Sequence, residues 1–342
     1  MPQKKIRWGI LSTAKIGIGS VIPAIQQSNN GVAAAIASRD AQKARDTARA
    51  LSIPRAFDSY QALLESPDID AVYIPLPNSL HAEWSIRAAQ HGKHILCEKP
   101  FALNTTQVDE MIAAAKQHRV LLMEAFMYRF HPQYAQVKEL IAQGAIGEVR
   151  MIRSAFGFQQ NDLNNIRLQR ELGGGSLMDV GCYCVNVSRW LAGTEPVQAQ
   201  ASAMFGEKSR VDETLIGILR FPNNVNAHFD SSFHTAYREG LEIQGSEGRL
   251  ELERPFRSHA AGGIGKIILH RKDDPHQIFT TPAINHYRLM VEHFADAILN
   301  DKPLLYPPEL DRGNMRVIDA LYESARRNFK LQTPALAAGA SV

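Results

Sequence analysis

The sequence has 342 residues, more than one hydrophobic core usually organises, and its 45% hydrophobic and 21% charged residues exclude a disordered or fibrous chain. A net charge of +3 without blocks of like charge does not indicate a nucleic-acid-binding surface. No apolar run is long enough to span a membrane. No secretion signal is recognisable and the three cysteines form no zinc-binding pattern, so we expect a cytoplasmic protein with reduced thiols and no metal.

The first third of the chain alternates short apolar segments with helical segments, which is the arrangement of βαβ units. Strands are predicted at residues 6–11, 32–38, 71–74, 94–97 and 120–125. Apolar residues at 108, 111, 112 and 115 form one stripe and predict a helix over 106–118. We therefore predict an α/β fold that begins with a Rossmann-type, doubly wound parallel sheet, in a dinucleotide-binding domain over residues 1–125.

From about residue 147 apolar and polar residues alternate, as in 225–230 and 249–253, which predicts strands with one solvent-facing side. The segment Gly245-Ser246-Glu247-Gly248 predicts a hairpin turn between two of them. Further strands are predicted at 149–158, 197–205, 214–221 and 266–271, and late helices at 287–299 and 309–328, before a tail of small residues at 334–342. The pattern predicts an α+β domain over 126–342, for substrate binding and oligomerisation, with a large, open, mainly antiparallel sheet.

The solvent-facing side of this second sheet would expose apolar surface in a monomer. We therefore expect a homodimer or homotetramer that forms through the C-terminal sheet.

The first predicted strand leads into a run of small residues, Gly9 to Gly17, from which a helix begins. Backbone N–H groups at such a turn can bind a pyrophosphate. The run departs from the GxGxxG pattern, since Leu11 and Ala14 stand at the second and third glycine positions, and a purely structural turn is the alternative. The candidate cofactor-binding residues are Gly9, Ser12, Thr13, Ala14, Lys15 and Ile16.

Ser38 and Arg39 follow the second strand, where NAD-binding proteins place an acidic residue against the ribose 2′-hydroxyl. A hydroxyl and a guanidinium suit the 2′-phosphate of NADP instead, and Lys43 can add a second cation. We therefore predict NADP rather than NAD. In the alternative, Arg39 is a solvated residue, and Asp40 caps a helix or serves NAD.

Glu98, Lys99 and Pro100 follow the strand at 94–97, at the carboxyl edge where open α/β sheets bind ligands. A lysine at this edge can hold a substrate oxygen or lower the pKa of a nearby hydroxyl, and Pro100 restricts the turn that aims it. Taken alone, the Glu-Lys pair is also compatible with a solvated turn.

Four motifs together resemble the glucose-fructose oxidoreductase, inositol dehydrogenase and rhizopine catabolism (Gfo/Idh/MocA) family. They are the small-residue turn, Pro75-Leu76-Pro77-Asn78-Ser79-Leu80-His81, Glu98-Lys99-Pro100, and the segment GGGSLMDVGCY that ends at Tyr183. They occur in order over nearly the whole chain. Tyrosine in the pattern Asp-x-Gly-x-Tyr resembles the branch of dihydrodiol dehydrogenase and NADP-linked xylose dehydrogenase, whereas inositol dehydrogenases have histidine there.

The resemblance implies that Tyr183 is the acid/base, Lys99 its electrostatic partner and Asp179 an orienting residue. On a helix, positions 179 and 183 share one face, and we expect the Lys99 ammonium to lower the pKa of Tyr183. Without the family motifs, the alternative is that Asp179 caps a helix and Tyr183 belongs to the core. The implied substrate-binding residues are Lys99, Arg129, Phe158, Asp179 and Tyr183.

The resemblance also implies further cofactor-binding residues in the loops after the parallel strands: Pro75, Leu76, Asn78, His81, Glu98 and Lys99. His81 has a capping or packing role as its alternative. Arg129 either contributes to the substrate pocket or forms an interdomain ion pair. Phe156 and Asp162 are additional pocket candidates.

The implied activity is an NADP-dependent transfer of hydride between nicotinamide and a CH–OH or C=O carbon of a sugar-like substrate, such as xylose, glucose or a keto-sugar. One alternative is a dihydrodiol dehydrogenase that acts on cyclic vicinal diols. Another is a non-catalytic NADP-sensing regulator, because the family includes a yeast galactose repressor. The complete set of Lys99, Asp179 and Tyr183 argues against the regulator.

Overall fold

A computed structural model describes residues 4–258, 262–272 and 275–327 of the chain. The predicted tail at 334–342 and residue 328 of the last predicted helix lie outside the described residues.

The N-terminal part of the chain forms a parallel sheet in the order β3-β2-β1-β4-β5-β6. Its strands are β1 Ile6–Leu11, β2 Gly31–Ala37, β3 Arg55–Phe57, β4 Ala71–Ile74, β5 His94–Cys97 and β6 Leu122–Glu124. The doubly wound sheet is confirmed, and every strand except β3 was predicted. The three residues of β3 are largely exposed, so they lack the apolar run that indicates a buried strand.

Five helices connect these strands: α1 Ile22–Gln27, α2 Ala41–Ala50, α3 Tyr60–Glu65, α4 His81–Gln90 and α5 Thr105–Gln117. Polar side chains cap three of them, with Asp40 at α2, Ser59 at α3 and Asn104 at α5. Each accepts a hydrogen bond from a backbone N–H of the first turn, which has no acceptor within its own helix. The predicted apolar stripe of α5 is buried, as expected.

The C-terminal part forms a second sheet in the order β14-β13-β12-β11-β7-β10-β9-β8. Its strands are β7 Val149–Gly157, β8 Gln198–Phe205, β9 Asp212–Arg220, β10 Asn226–Ser232, β11 Arg238–Gly245, β12 Gly248–Leu252, β13 Lys266–Arg271 and β14 Gln277–Thr280. Strands β7 and β10 pair in parallel and the neighbouring described pairs are antiparallel. The mainly antiparallel sheet is confirmed, with the predicted hairpin between β11 and β12.

The remaining helices are α6 Pro132–Ala142, α7 Cys182–Ala192, α8 His286–Asn300 and α9 Pro308–Arg327. Helix α7 packs on β7 and β10, while α8 returns to the first sheet, where the rings of Phe294 and Trp8 lie 5.7 Å apart. Both aromatic side chains are completely buried. A continuous core therefore joins the two sheets, and the division of the chain between residues 125 and 126 stays a prediction.

The opposite face of the second sheet is open. Ala227 and Phe229 point to the buried side of β10, whereas Met204, Ile216 and Ile218 on β8 and β9 are at least half exposed. Within the described residues, no helix combines the length and apolar character that a membrane crossing requires.

Candidate active site

A cleft of about 740 Å³ separates the carboxyl edge of the first sheet from the second sheet. Predicted site residues that line it are Ala14, Lys15, Ile16, Pro75, Leu76, Asn78, Glu98, Lys99, Phe156, Phe158, Asp162, Asp179 and Tyr183. Predicted residues that do not line it are Gly9, Ser12, Thr13, Ser38, Arg39, Lys43, His81 and Arg129. The structure thus brings residues from both halves of the chain to one cavity.

The turn after β1 leads directly into a helix. Ser12 adopts a φ of 143°, and its Oγ accepts a hydrogen bond of 3.0 Å from the N–H of Ala14. A helix begins at Lys15, so the N–H groups of its first turn point away from the helix body toward the strand edge. Gly9 has a different role, because a Cβ atom there would lie 2.5 Å from Cδ2 of Leu63. That glycine permits the packing of α3 against β1.

The segment after β2 lies at the same edge of the sheet as this turn, because β1 and β2 are parallel neighbours. Ser38 is buried and its Oγ accepts a hydrogen bond from the N–H of Asp40, while Arg39 is exposed and lies beside the Tyr60 hydroxyl. The Asp40 carboxylate accepts the N–H of Lys43 and is committed to capping α2. These groups fit a 2′-phosphate better than an unmodified ribose hydroxyl.

His81 holds the loop after β4 against the loop after β5. Its ring is completely buried, with Nδ1 2.8 Å from the Pro100 carbonyl oxygen and Nε2 2.8 Å from that of Leu76. Burial lowers the pKa of His81 to about 4, and the two carbonyl contacts act against this shift. The structure therefore places His81 behind the cleft wall, in the packing role that was the alternative.

Glu98 and Lys99 line the cleft, and a cis peptide bond joins Lys99 to Pro100. Glu98 is buried and accepts a hydrogen bond of 2.7 Å from the Tyr73 hydroxyl, and burial raises the pKa of its carboxyl group. Lys99 Nζ donates to Asp179, at 2.6 Å from its carbonyl oxygen and 3.1 Å from Oδ1. The alternative of a solvated turn is therefore wrong for Lys99.

The glycine-rich segment before α7 fixes the position of the Asp179 backbone. Asp212 on β9 accepts the Ser176 hydroxyl at 2.9 Å and the Leu177 N–H at 2.7 Å. Gly175 has a φ of 127°, and a Cβ atom there would lie 2.2 Å from Asp212 Oδ1. The close approach of Asp212 therefore requires glycine at this position. On the other side, Asn78 Nδ2 donates to the Gly173 carbonyl and joins the segment to the first sheet.

Asp179 lies between two cations. Its Oδ1 accepts from Lys99 and its Oδ2 accepts from Arg167 Nε at 2.6 Å, with the carboxylate largely buried. Burial opposes ionisation, but the charges of Lys99 and Arg167 outweigh it and lower the pKa of Asp179 to about 2. Residues 177–181 form a wider turn than an α-helix, and both Asp179 and Tyr183 still line the cleft.

Tyr183 differs from the prediction in its electrostatics. Its ring packs against Phe126, Phe156 and Phe256 at centroid distances of 5.2 to 5.6 Å, and burial raises the pKa of its phenol well above the ordinary value. Lys99 Nζ lies 5.2 Å from the ring centroid, but it donates to Asp179. The prediction that Lys99 lowers the pKa of Tyr183 was therefore wrong for the protein without ligands.

Arg129 lies away from the cleft. Its Nη1 is 2.9 Å from Asp311 Oδ1 and its Nε is 2.8 Å from Asn186 Oδ1, in a buried cluster with almost no exposure. The expected role in the substrate pocket is therefore corrected: Arg129 forms a buried ion pair, as in the alternative, but both partners lie within the predicted domain 126–342 and not across a domain boundary.

The sequence analysis missed Arg167, Arg257 and Tyr287, which also line the cleft. Arg167 stands in a polar segment without periodicity, and Arg257 and Tyr287 lie far along the chain from the motifs. The signal available for Arg167 was that it is one of two arginines, with Arg170, shortly before the glycine-rich segment.

Within residues 4–258, 262–272 and 275–327, no group of three or more His, Cys, Asp or Glu side chains could hold a metal ion. Cys97, Cys182 and Cys184 are buried free thiols.

Known proteins match this chain over nearly its whole length. D-xylose 1-dehydrogenase (NADP(+)) 2 of Haloferax volcanii is 40% identical over 93% of this chain and 97% of the relative. Trans-1,2-dihydrobenzene-1,2-diol dehydrogenase of Xenopus tropicalis is 36% identical, with 96% and 99% covered. A 3-ketoreductase from Actinomadura kijaniata, solved with NADP and TDP-benzene, matches with a TM-score of 0.89 and 31% identity over 94% of this chain and 98% of that structure.

Two family descriptions match the two parts of the chain. Residues 6–126 match the oxidoreductase family with an NAD-binding Rossmann fold, and residues 134–251 match the GFO/IDH/MocA C-terminal domain. The chain therefore belongs to the GFO/IDH/MocA family of oxidoreductases.

Proposed function

We propose that this protein is an NADP-dependent oxidoreductase that transfers hydride between nicotinamide and a CH–OH or C=O carbon of a sugar-like substrate. The observation that carries the proposal is the convergence of Lys99, Asp179 and Tyr183 in one cleft beside the strand-to-helix turn. Xylose dehydrogenase and 3-ketoreductase activities of the relatives support the substrate class.

Bound NADP supplies the hydride chemistry, and the side chains of the cleft handle the proton and the substrate oxygen. Lys99 has three N–H donors, of which two are directed at Asp179, so the third is available to the reacting oxygen. Tyr183 is protonated at neutral pH because burial raises its pKa, so it can donate a proton to a carbonyl oxygen during reduction. In the oxidative direction the phenol must first lose that proton.

NADP is proposed rather than NAD on the basis of the segment after β2. Arg39 is exposed there and available for a 2′-phosphate, while the carboxylate of Asp40 is occupied by the cap of α2. Ser38 and Lys43 supply a hydroxyl and a second cation close by. Residues 12–16 are proposed to bind the pyrophosphate, with Pro75, Leu76, Asn78 and Glu98 on the nicotinamide side.

A dihydrodiol dehydrogenase is the second candidate, because Phe156 and Phe158 give the cleft an aromatic wall. The relative from Xenopus tropicalis supports it. A cyclic diol and a sugar present the same reacting group, a carbinol carbon beside a second hydroxyl. The two candidates therefore differ in what surrounds that group.

The proposal is tested by fluorescence titration with NADPH and NADH, followed by turnover on aldoses, keto-sugars, inositols and cyclic diols. We expect tighter binding of NADPH and turnover of at least one aldose or keto-sugar. Turnover confined to cyclic diols would select the second candidate. Dinucleotide binding without turnover on any of these compounds would favour a non-catalytic regulator and overturn the proposal.

The preference for NADP over NAD can be tested separately at Arg39. Replacing Arg39 by alanine is expected to weaken NADPH binding by about 10- to 100-fold, the effect of one lost charge-assisted hydrogen bond, and to leave NADH binding unchanged. Arg45→Ala removes an exposed arginine from α2 and is expected to change neither. If Arg39→Ala lost affinity equally for NADPH and NADH, the proposed contact between Arg39 and the 2′-phosphate would be contradicted.

We also propose a homodimer or homotetramer that forms in the cytoplasm through the open face of the C-terminal sheet. Met204, Ile216 and Ile218 lie exposed on adjacent strands of that face. Light scattering after gel filtration is expected to give at least the dimer mass, and Ile218→Asp to lower it. Leu305→Asp, an equally exposed position outside the sheet, is the matched control. A wild-type monomer at micromolar concentration would contradict this assembly.

A further inference from the structure

Arg167 is held in the cleft by a hydrogen bond of its backbone and by two contacts of its side chain. Its backbone N–H donates to Asn165 Oδ1 at 3.1 Å, and its Nε donates to Asp179 Oδ2 at 2.6 Å. Its guanidinium carbon lies 5.8 Å from the centroid of the Phe158 ring. The side chain remains 38% exposed, which leaves part of the guanidinium accessible from the cleft.

The two terminal amino groups of Arg167 contrast with its anchored Nε. No hydrogen bond joins Nη1 or Nη2 to another residue within the part of the chain that the structure describes. A guanidinium donates from all its nitrogen atoms in a fixed planar arrangement, so anchoring Nε sets the direction of the remaining donors. The anchored side chain therefore presents N–H groups to a ligand in the cleft.

The neighbouring side chains indicate which ligand atom these donors meet. Lys99 and Tyr183 are assigned to the reacting oxygen, and Asp179 connects Lys99 to Arg167 through its two carboxylate oxygens. The Asp179 carboxylate thus lies between Lys99, which donates to the reacting oxygen, and the free N–H groups of Arg167. Lys99 and Arg167 share the Asp179 carboxylate, so it neutralises neither cation alone. The free N–H groups of Arg167 can donate to a neutral hydroxyl, which is the group that a sugar-like substrate presents.

We propose that Arg167 determines substrate specificity by binding the hydroxyl on the carbon next to the reacting carbon. The inference rests on the proposed function and deepens it, because it makes a vicinal oxygen a requirement of the substrate class. Sugars and cyclic vicinal diols satisfy this requirement, whereas simple alcohols and 2-deoxy sugars that react at C1 do not.

The test compares two pairs of probes that differ in the neighbouring hydroxyl, D-glucose with 2-deoxy-D-glucose and trans-cyclohexane-1,2-diol with cyclohexanol. The kcat/KM of wild-type protein with NADP is expected to be about 10- to 100-fold higher for the hydroxylated member of a pair that is turned over. In Arg167→Met this ratio is expected to fall close to one, because the donor to the neighbouring hydroxyl is gone. Both probes then bind without that contact.

A merely structural role of Arg167 gives a different result. If Arg167 only held Asp179 in place, Arg167→Met would lower kcat/KM equally for both members of a pair and leave the ratio at the wild-type value. That outcome overturns the inference and leaves the proposed function intact. If wild-type protein turned over neither pair with NADP, the inference would be overturned, whereas the proposed function would stand if another aldose or a keto-sugar were turned over.

Matched variants complete the test. Arg170→Met removes an exposed arginine three residues later in the same segment, outside the cleft lining, and is expected to keep both the rates and the ratio. NADPH affinity of Arg167→Met is expected to match wild type, which shows that the variant is folded. A ratio lowered equally in Arg170→Met would contradict the assignment to Arg167.

Discussion

Replacement of Tyr183 by phenylalanine is expected to lower kcat by about 10²- to 10⁴-fold, the usual contribution of a positioned acid or base. The change removes the hydroxyl that exchanges the proton of the reacting oxygen and keeps the aromatic packing with Phe126 and Phe256. Steady-state kinetics measures the loss, and NADPH titration is expected to show unchanged cofactor binding. Loss of cofactor binding together with turnover would indicate a folding defect instead.

The pH dependence of wild-type turnover provides an independent check on Tyr183. Because burial raises the pKa of the phenol, its protonated form persists above neutral pH. Reduction needs the phenol as acid and is expected to stay constant through neutral pH, whereas oxidation needs the deprotonated form and is expected to rise into the alkaline range. This dependence is expected to disappear in the residual activity of Tyr183→Phe.

Tyr134→Phe is the matched control for Tyr183→Phe. Tyr134 is buried in the same group of aromatic side chains, packs on Tyr128 and donates to the Pro255 carbonyl, but it does not line the cleft. We expect turnover close to wild type. Comparable losses in the two variants would mean that removal of any buried phenol disturbs the site, and the role of Tyr183 as acid/base would be withdrawn.

Asp311→Ala is expected to destabilise the protein by about 3 to 5 kcal/mol, the usual cost of leaving one partner of a buried ion pair uncompensated. The guanidinium of Arg129 is buried against Asp311, and its remaining contacts are with neutral groups such as Asn186. Urea unfolding followed by circular dichroism measures the change, with thermal melting as a second observable in case unfolding is not two-state.

The surroundings of Asp311 sharpen this prediction. Burial first, and then the neighbouring Asp311 carboxylate, hold the pKa of Glu124 well above its usual range. Asp311→Ala removes the second of these causes, so ionisation of Glu124 beside Arg129 would bring the loss toward the lower end of the expected destabilisation. Arg312→Ala breaks an exposed ion pair with Asp109 from the next position of the same helix and is expected to leave stability nearly unchanged. Equal destabilisation by the two variants would contradict a special cost for the buried pair.

Local patterns in the sequence determined the elements whose hydrophobic periodicity is strong. The stripe on α5, the alternation in β10 and the turn between β11 and β12 each follow from residues a few positions apart. The carboxyl ends of β1 and β5 likewise located the dinucleotide turn and Lys99, because parallel strands place their ends at one edge. β3 and β14 escaped prediction because they are short and mostly exposed.

Which charges meet was decided by the tertiary structure alone. From the sequence, Arg129 could serve the cleft or an ion pair, and no motif pointed to Arg167. The fold buries Arg129 against Asp311, 182 positions away, and leaves Arg167 in the cleft. The Lys99 ammonium likewise meets Asp179 across 80 positions, so its hydrogen bonds go to Asp179 and not to the Tyr183 phenol. Pairing and burial set the electrostatics of these groups, and both depend on contacts between distant segments that no local pattern contains.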